Sequence, residues 1–226
     1  MSTAGRLAEP QVEAMFDRIA SVYDLMNSVM TAGMHQRWRE RAVDLANSPS
    51  RALDVATGTG DLAIALQQRG AKVVGIDFSE KMLEIARGKA PGIEFRAGNA
   101  LALDFPDDEF DAATVGFGAR NFDDLDKGLS EMARVVKPGG RVVVLEITNP
   151  QKPPLSTFFH FWFDSVVPMI GRFAGDPDAY EYLPNSVKRF PGPQDLAGRM
   201  VAAGMTDVRW ILTAGGIIAI HAGTVT

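Results

Sequence analysis

The sequence predicts a doubly wound α/β fold, a mostly parallel seven-stranded sheet with helices on both faces. Three observations carry the prediction. From Arg51 onward, short apolar runs alternate with helical stretches, the pattern of repeated βα units. The first run passes into DVATGTGDLA (54–63), where Gly58, Gly60 and Ala63 fit G-x-G-x-x-A, the Rossmann-like turn between a strand and a helix. The last two runs, joined by Ala214-Gly215, read as a closing hairpin.

The elements follow in order. Gln11 to Asn47 has apolar residues at helical spacing, broken into two helices over Asn27 to Gly33. RALDVA (51–56) is a strand, and DLAIALQQRG (61–70) a helix that Gly70 stops. KVVGID (72–77) is a buried strand, and SEKMLEIARGKA (79–90) a helix capped by Ser79. IEFRAG (93–98) and DAATVGF (111–117) are strands, LDKGLSEMARVV (125–136) a helix stopped at Lys137-Pro138-Gly139-Gly140, and RVVVLEI (141–147) the fifth strand. GMTDVRWILT (204–213) and GIIAIHAG (216–223) close the sheet. The expected organisation is one domain over 1–226: a helical cap (1–50), a ligand-binding core (51–148), a proline-rich insertion over the sheet's carboxyl edge (149–193), and a closing helix and hairpin (194–226).

Composition narrows the chemistry. A net charge of −5 argues against a broad nucleic-acid surface. The absence of cysteine removes disulfides and attack by a thiolate. His35, His160 and His221 lack metal-ligand spacing, so no metal is expected. The first fifteen residues hold no apolar run and no uncharged stretch of 18 apolar residues occurs, so neither signal peptide nor spanning helix is expected, and the expected location is cytoplasmic.

The glycine turn and Asp77, 19 residues after Gly58, suit NAD and S-adenosylmethionine alike, because an acid there accepts ribose hydroxyls in either. Asp54 separates them. It lies inside the first strand, where an unpaired carboxylate is costly. S-adenosylmethionine brings an ammonium group to that place; the alternative is a pairing with a nearby Arg or with backbone amides. Asn99, in Gly98-Asn99-Ala100, offers a donor and an acceptor to an adenine edge, or else serves its own turn. With no second domain and no paired acid and histidine for hydride transfer, the methyltransferase reading leads over an NAD(P)-dependent oxidoreductase.

The fourth strand runs into VGFGARN (115–121). Amino-group methyltransferases often carry Asn or Asp, two prolines and an aromatic there; their absence turns the expectation away from an exocyclic amine. Phe117 can line a flat ring. Arg120 is a poor base but suits an oxyanion, unless Asp123 or Asp124 pairs with it.

Whole motifs carry a specific resemblance. YDLMNSVMTAGMHQRW (23–38) and RVVKPGGRVVVLEIT (134–148) are similar to the two signatures of the ubiquinone/menaquinone biosynthesis C-methyltransferases. FGARN matches their loop, DVATGTGD and GNA their cofactor motifs, and GDPDAYEYLPNSVKRFP (175–191) resembles their insertion. Thr31 and Thr148 stand where the signatures usually show Ser, and Gly116 where many members carry a Ser near the cofactor.

The resemblance implies a class I S-adenosylmethionine-dependent methyltransferase acting on a ring carbon of a prenylated quinol. Demethylmenaquinol comes first, because scarce Lys beside common Arg points to a GC-rich genome, of a lineage that often uses naphthoquinones; the benzoquinol of ubiquinone synthesis, or both, is the alternative. The expected cofactor-binding residues are Asp54, Gly58, Thr59, Gly60, Asp77, Asn99, Ala100 and Gly116. The catalytic candidates are Arg120 for the anion, Asn121 for a ring hydroxyl and Tyr23 at the mouth, with His35 as a relay or a structural residue beside Trp38. The aromatic stretch STFFHFWFDSVVPMI (156–170) is expected to cover the sheet edge, to wall an isoprenoid tail, or to touch the inner face of the cell membrane. The expected partner is a lipophilic prenylated quinol and not nucleic acid, with a homodimer left open.

Overall fold

In the computed structural model, residues 9–31, 33–148 and 177–226 are described. The aromatic stretch 156–170, and with it most of the expected insertion, lies outside the described residues. Two helices lead, α1 (Glu9–Thr31) and α2 (His35–Leu45). Then come β1 (Arg51–Val55), α3 (Asp61–Gln68), β2 (Lys72–Asp77), α4 (Glu80–Lys89), β3 (Glu94–Ala97), β4 (Phe110–Gly116), α5 (Leu125–Arg134) and β5 (Val136–Ile147). The chain closes with α6 (Pro177–Arg189), α7 (Pro193–Ala202), β6 (Met205–Thr213) and β7 (Ile218–Val225).

The seven strands form one sheet in the order β3-β2-β1-β4-β5-β7-β6. The first five are parallel, while β7 runs antiparallel to β5 and β6 antiparallel to β7. The predicted α/β class and hairpin are therefore observed. The strand order reverses outward from β1 to β2 on one side and to β4 on the other, and the crevice at such a switch point is where ligands bind in open α/β sheets.

Strand alternation sorts the core into two layers. Val143, Leu145, Ala52 and Ala112 pack on one face with Trp38, Ala42, Leu62 and Leu66 of α2 and α3. Val142, Val144, Leu53 and Val55 pack on the other with Leu129, Met132, Leu196 and Met200 of α5 and α7. Period two places Asp54, Thr114 and Gly116 on the α2 face with Ala52 and Ala112. That parity decides which helix can reach the site.

Two boundaries differ from expectation. The first helix continues past Asn27 to Thr31, because NSVMT contains no Gly or Pro; Gly33, at φ +75°, ends it. Lys137-Pro138-Gly139-Gly140 is an irregularity within β5, which pairs Phe110 with Val136 and then Ala112 with Arg141. Elsewhere the capping chemistry acts as expected, with the Ser79 hydroxyl accepting from the Met82 N–H at 3.2 Å to start α4. Among the described residues no helix is long and apolar enough to cross a membrane.

Candidate active site

A cleft of about 980 Å³, open to solvent, lies over the carboxyl ends of β1, β2 and β4. It gathers nine of the eleven nominated site residues: Tyr23, Asp54, Gly58, Thr59, Asp77, Asn99, Ala100, Gly116 and Asn121. Helix α1 lies across it, contributing Val12, Phe16 and Tyr23, with the Phe16 and Tyr23 rings edge to face at 6.1 Å. Polar contacts hold the helix there. Asp17 accepts from the Ser79 hydroxyl at 2.6 Å, and Asp24 from the Thr59 hydroxyl at 2.6 Å and from Lys89 at 2.9 Å.

Each acid in the cleft has its own bracing. Asp77 ends β2, and its two oxygens accept the backbone N–H groups of Gly58 (2.8 Å) and Ser79 (2.9 Å). Burial raises its pKa, and these bonds partly offset the rise. A carboxylate has about four acceptor sites, so two remain for a ligand's hydroxyls. Asp54 is fully buried beside Thr114, its register partner on β4. Its oxygens accept the hydroxyls of Thr57 and Thr114, each at 2.6 Å. Burial pushes its pKa up to about 6, against the pull of those two bonds and of Arg39. No direct ion pair neutralises it among the described residues, so the cleft holds a buried acid with little to offset its charge.

The ends of β1 and β4 are each followed by a strained residue. Ala56 and Phe117 both sit at positive φ (52° and 60°), a conformation that costs a non-glycine residue about 1–3 kcal/mol. Strain of this kind clusters at ligand sites.

Comparison with known proteins settles the relationship. Residues 5–225 match the family model described as ubiE/COQ5 methyltransferase family. The chain belongs to the ubiE/COQ5 methyltransferase family. It is 49% identical over 218 residues to a demethylmenaquinone methyltransferase of Thermus thermophilus, covering 92% of this chain and 99% of the relative. It is 40% identical over 225 residues to a ubiquinone/menaquinone biosynthesis C-methyltransferase of a Geobacter species, covering 95% and 96%. Among solved structures it resembles a Thermotoga maritima methyltransferase described as a possible histamine N-methyltransferase, at TM-score 0.69 and 21% identity, covering 94% of this chain and 99% of that one. The last likeness concerns the fold alone.

Within this ubiE/COQ5 methyltransferase, the structure bears on three of the expected site residues. Gly60 does not line the cleft. It caps α3 at φ +85°, and a Cβ there would meet the Phe95 ring at 2.9 Å and Ala86 at 3.1 Å, so the residue serves helix-sheet packing. Gly58, at φ +55°, would project a Cβ into open space, and it alone of the two lines the cleft.

Asn99 turns its Oδ1 onto the N–H of Leu101 at 2.7 Å, so its acceptor is engaged in its own turn. Arg120 pairs with neither Asp123 nor Asp124. Its Nη1 donates to Glu146 at 2.7 Å and to the Phe117 carbonyl, and Glu146 also accepts the Arg120 N–H at 3.2 Å. Burial alone would lower the Arg120 pKa; Glu146, Tyr23 and Tyr182 outweigh it and hold the guanidinium above its ordinary value.

Arg120 lines a second space, of about 900 Å³ and open to solvent, at the Ala119–Asn121 turn. Asn121 and Phe122 line both spaces. The FGARN segment of this ubiE/COQ5 chain is a partition between two cavities, and Tyr182 of α6 braces it by donating to Asn121 Oδ1 at 3.1 Å. His35 opens α2, buried, with Nδ1 2.7 Å from the Thr31 hydroxyl and its pKa lowered chiefly by burial; it does not line the cleft.

Three participants escaped the sequence reading. Glu146 is an acid inside a hydrophobic strand, the signal that singled out Asp54, and could have been found the same way. Tyr182 and Arg39 carry no such signal, because each reaches the site from a separate helix.

Proposed function

We propose that the cleft binds S-adenosylmethionine and that the enzyme methylates a ring carbon of a prenylated quinol, demethylmenaquinol first and the corresponding benzoquinol as the alternative. The observation that supports this most is Asp54, a buried acid beside the glycine turn with no ion-pair partner among the described residues. A dinucleotide's pyrophosphate would add negative charge there, whereas the ammonium of a methionine end relieves it. The names of the Thermus and Geobacter relatives point to the same acceptor class.

Bound S-adenosylmethionine would supply an electrophilic sulfonium methyl to an electron-rich quinol carbon, the C–S bond breaking to release S-adenosylhomocysteine and the ring carbon then losing its proton. The chain's residues prepare both sides. Asp77 receives the ribose hydroxyls on acceptor sites that Gly58 and Ser79 leave open. Asn99 and Ala100 line the nucleoside end, and Thr59 and Gly116 the amino-acid end. On the acceptor side, the Arg120 Nε, buried with no partner among the described residues, is the donor for the ring oxyanion. Asn121 hydrogen-bonds a ring hydroxyl across the partition, and Tyr23 stands at the mouth. The binding half is tested by thermal unfolding with either ligand. S-adenosylmethionine should raise the midpoint and NAD(P) should not; protection by NAD(P) alone would reverse the assignment.

A further inference from the structure

Arg39 brings a cation into the donor cleft. Arg39 comes from α2, on the sheet face that carries Asp54, Thr114 and Gly116. Its side chain is 10% exposed, and its Nη2 is 3.2 Å from Asp61. Its guanidinium stands 5.9 Å from the centre of the Phe117 ring. Its Nη1 is buried with no hydrogen-bond partner among the described residues, in a residue that lines the cleft. A buried charged donor left unpaired is costly, so this atom waits for an acceptor.

The cleft has a direction. Asp77, Asn99 and Ala100 follow β2 and β3, at one end. Asp54 and Arg39 lie at the other, between β1 and the Phe117 turn after β4. A nucleoside needs hydroxyl and base contacts, whereas a free amino acid needs one cation and one anion. Only the second end presents one of each.

We propose that Arg39 binds the α-carboxylate of the methyl donor through Nη1, opposite the Asp54 carboxylate that faces the ammonium, and so selects donors that carry an intact amino-acid end. The assignment rests on the proposed use of S-adenosylmethionine. Asp61 and Phe117 are what hold the guanidinium in place. Asp61 is itself shared with Lys89, so Arg39 is not fully neutralised by it.

The test compares S-adenosylmethionine with its decarboxylated analogue, which keeps the sulfonium, the nucleoside and the ammonium. Affinities are measured by calorimetry on the wild type, Arg39→Met and Arg39→Lys. A charge-assisted hydrogen bond of this kind corresponds to about 10- to 100-fold in affinity. The wild type should therefore bind the analogue about 10- to 100-fold more weakly. Arg39→Met should bind both ligands alike, and Arg39→Lys should keep an intermediate preference because it retains a charge but not the planar fork. A wild type that binds both ligands within two-fold overturns the assignment without any variant. So does an Arg39→Met protein that keeps the full preference. A folded wild type that binds neither ligand overturns the proposed methyl donor, and this assignment with it.

Discussion

Arg120 and Glu146 form an ion pair at 2.7 Å with both side chains buried, tying the turn after β4 to the end of β5. The pair fixes where Asn121 and Phe117 stand relative to the two cavities. Removing one partner leaves an uncompensated buried charge, which costs about 3–5 kcal/mol. Glu146→Ala should therefore lower stability by about that amount in urea unfolding. Arg120→Ala should do so too, and should also reduce kcat far more than it weakens donor binding. Equal turnover by Arg120→Ala at saturating donor would show that the guanidinium serves structure alone.

Asp54 predicts a pH dependence with a definite sign. Its pKa is raised in the folded protein from 3.8 to about 6. Its contribution to stability is thus fully present below pH 3.8 and is lost as pH rises through about 6. The loss amounts to about 3 kcal/mol. His221, buried against the Pro193 carbonyl with its pKa lowered to about 4, acts the other way: its contribution is present above pH 6.5 and is lost toward pH 4. Subtracting one protein from the other isolates Asp54. Asp54→Asn should gain on the wild type by about 3 kcal/mol between pH 4 and pH 7. Donor affinity of the wild type should rise across the same window, and that of Asp54→Asn should not. A flat difference in stability would place the ionised carboxylate in a better-solvated setting than the structure shows.

The two glycines of the turn should respond differently. Both sit at positive φ, so alanine strains each by about 1–2 kcal/mol. At Gly60 the new methyl also meets Phe95 and Ala86. At Gly58 it enters the cleft. Gly60→Ala should give the larger drop in Tm with donor affinity largely kept. Gly58→Ala should lose at least about tenfold in donor affinity with the smaller drop. The reverse order would mean that the ligand approaches at Gly60.

Much of this was legible in the sequence for local reasons. The βα alternation, the Ser79 cap and the placement of Asp54 inside β1 and Asp77 at the end of β2 follow from period, capping chemistry and the cost of an acid in an apolar strand. The FGARN segment was correctly placed after the fourth strand. The sequence could not show which way its groups turn. Arg120 meets Glu146 because β4 and β5 are neighbours, a fact of strand order rather than of spacing. Gly60 answers to Phe95, from β3, and Arg39 enters from α2 only because Asp54 has that strand parity. Asn99 lines the cleft and also bonds its own backbone two residues on, so the turn role that the sequence offered as an alternative stands beside the ligand role.

The chemistry of this enzyme is methyl transfer to a quinol ring carbon. It is tested most directly by incubating the protein anaerobically with methyl-labelled S-adenosylmethionine and either a reduced, prenylated naphthoquinol lacking its ring methyl or the corresponding benzoquinol. Label should appear on the ring carbon of the naphthoquinol, in greater amount than on the benzoquinol. Absence of label from both rings, with a folded protein that binds the donor, would contradict it.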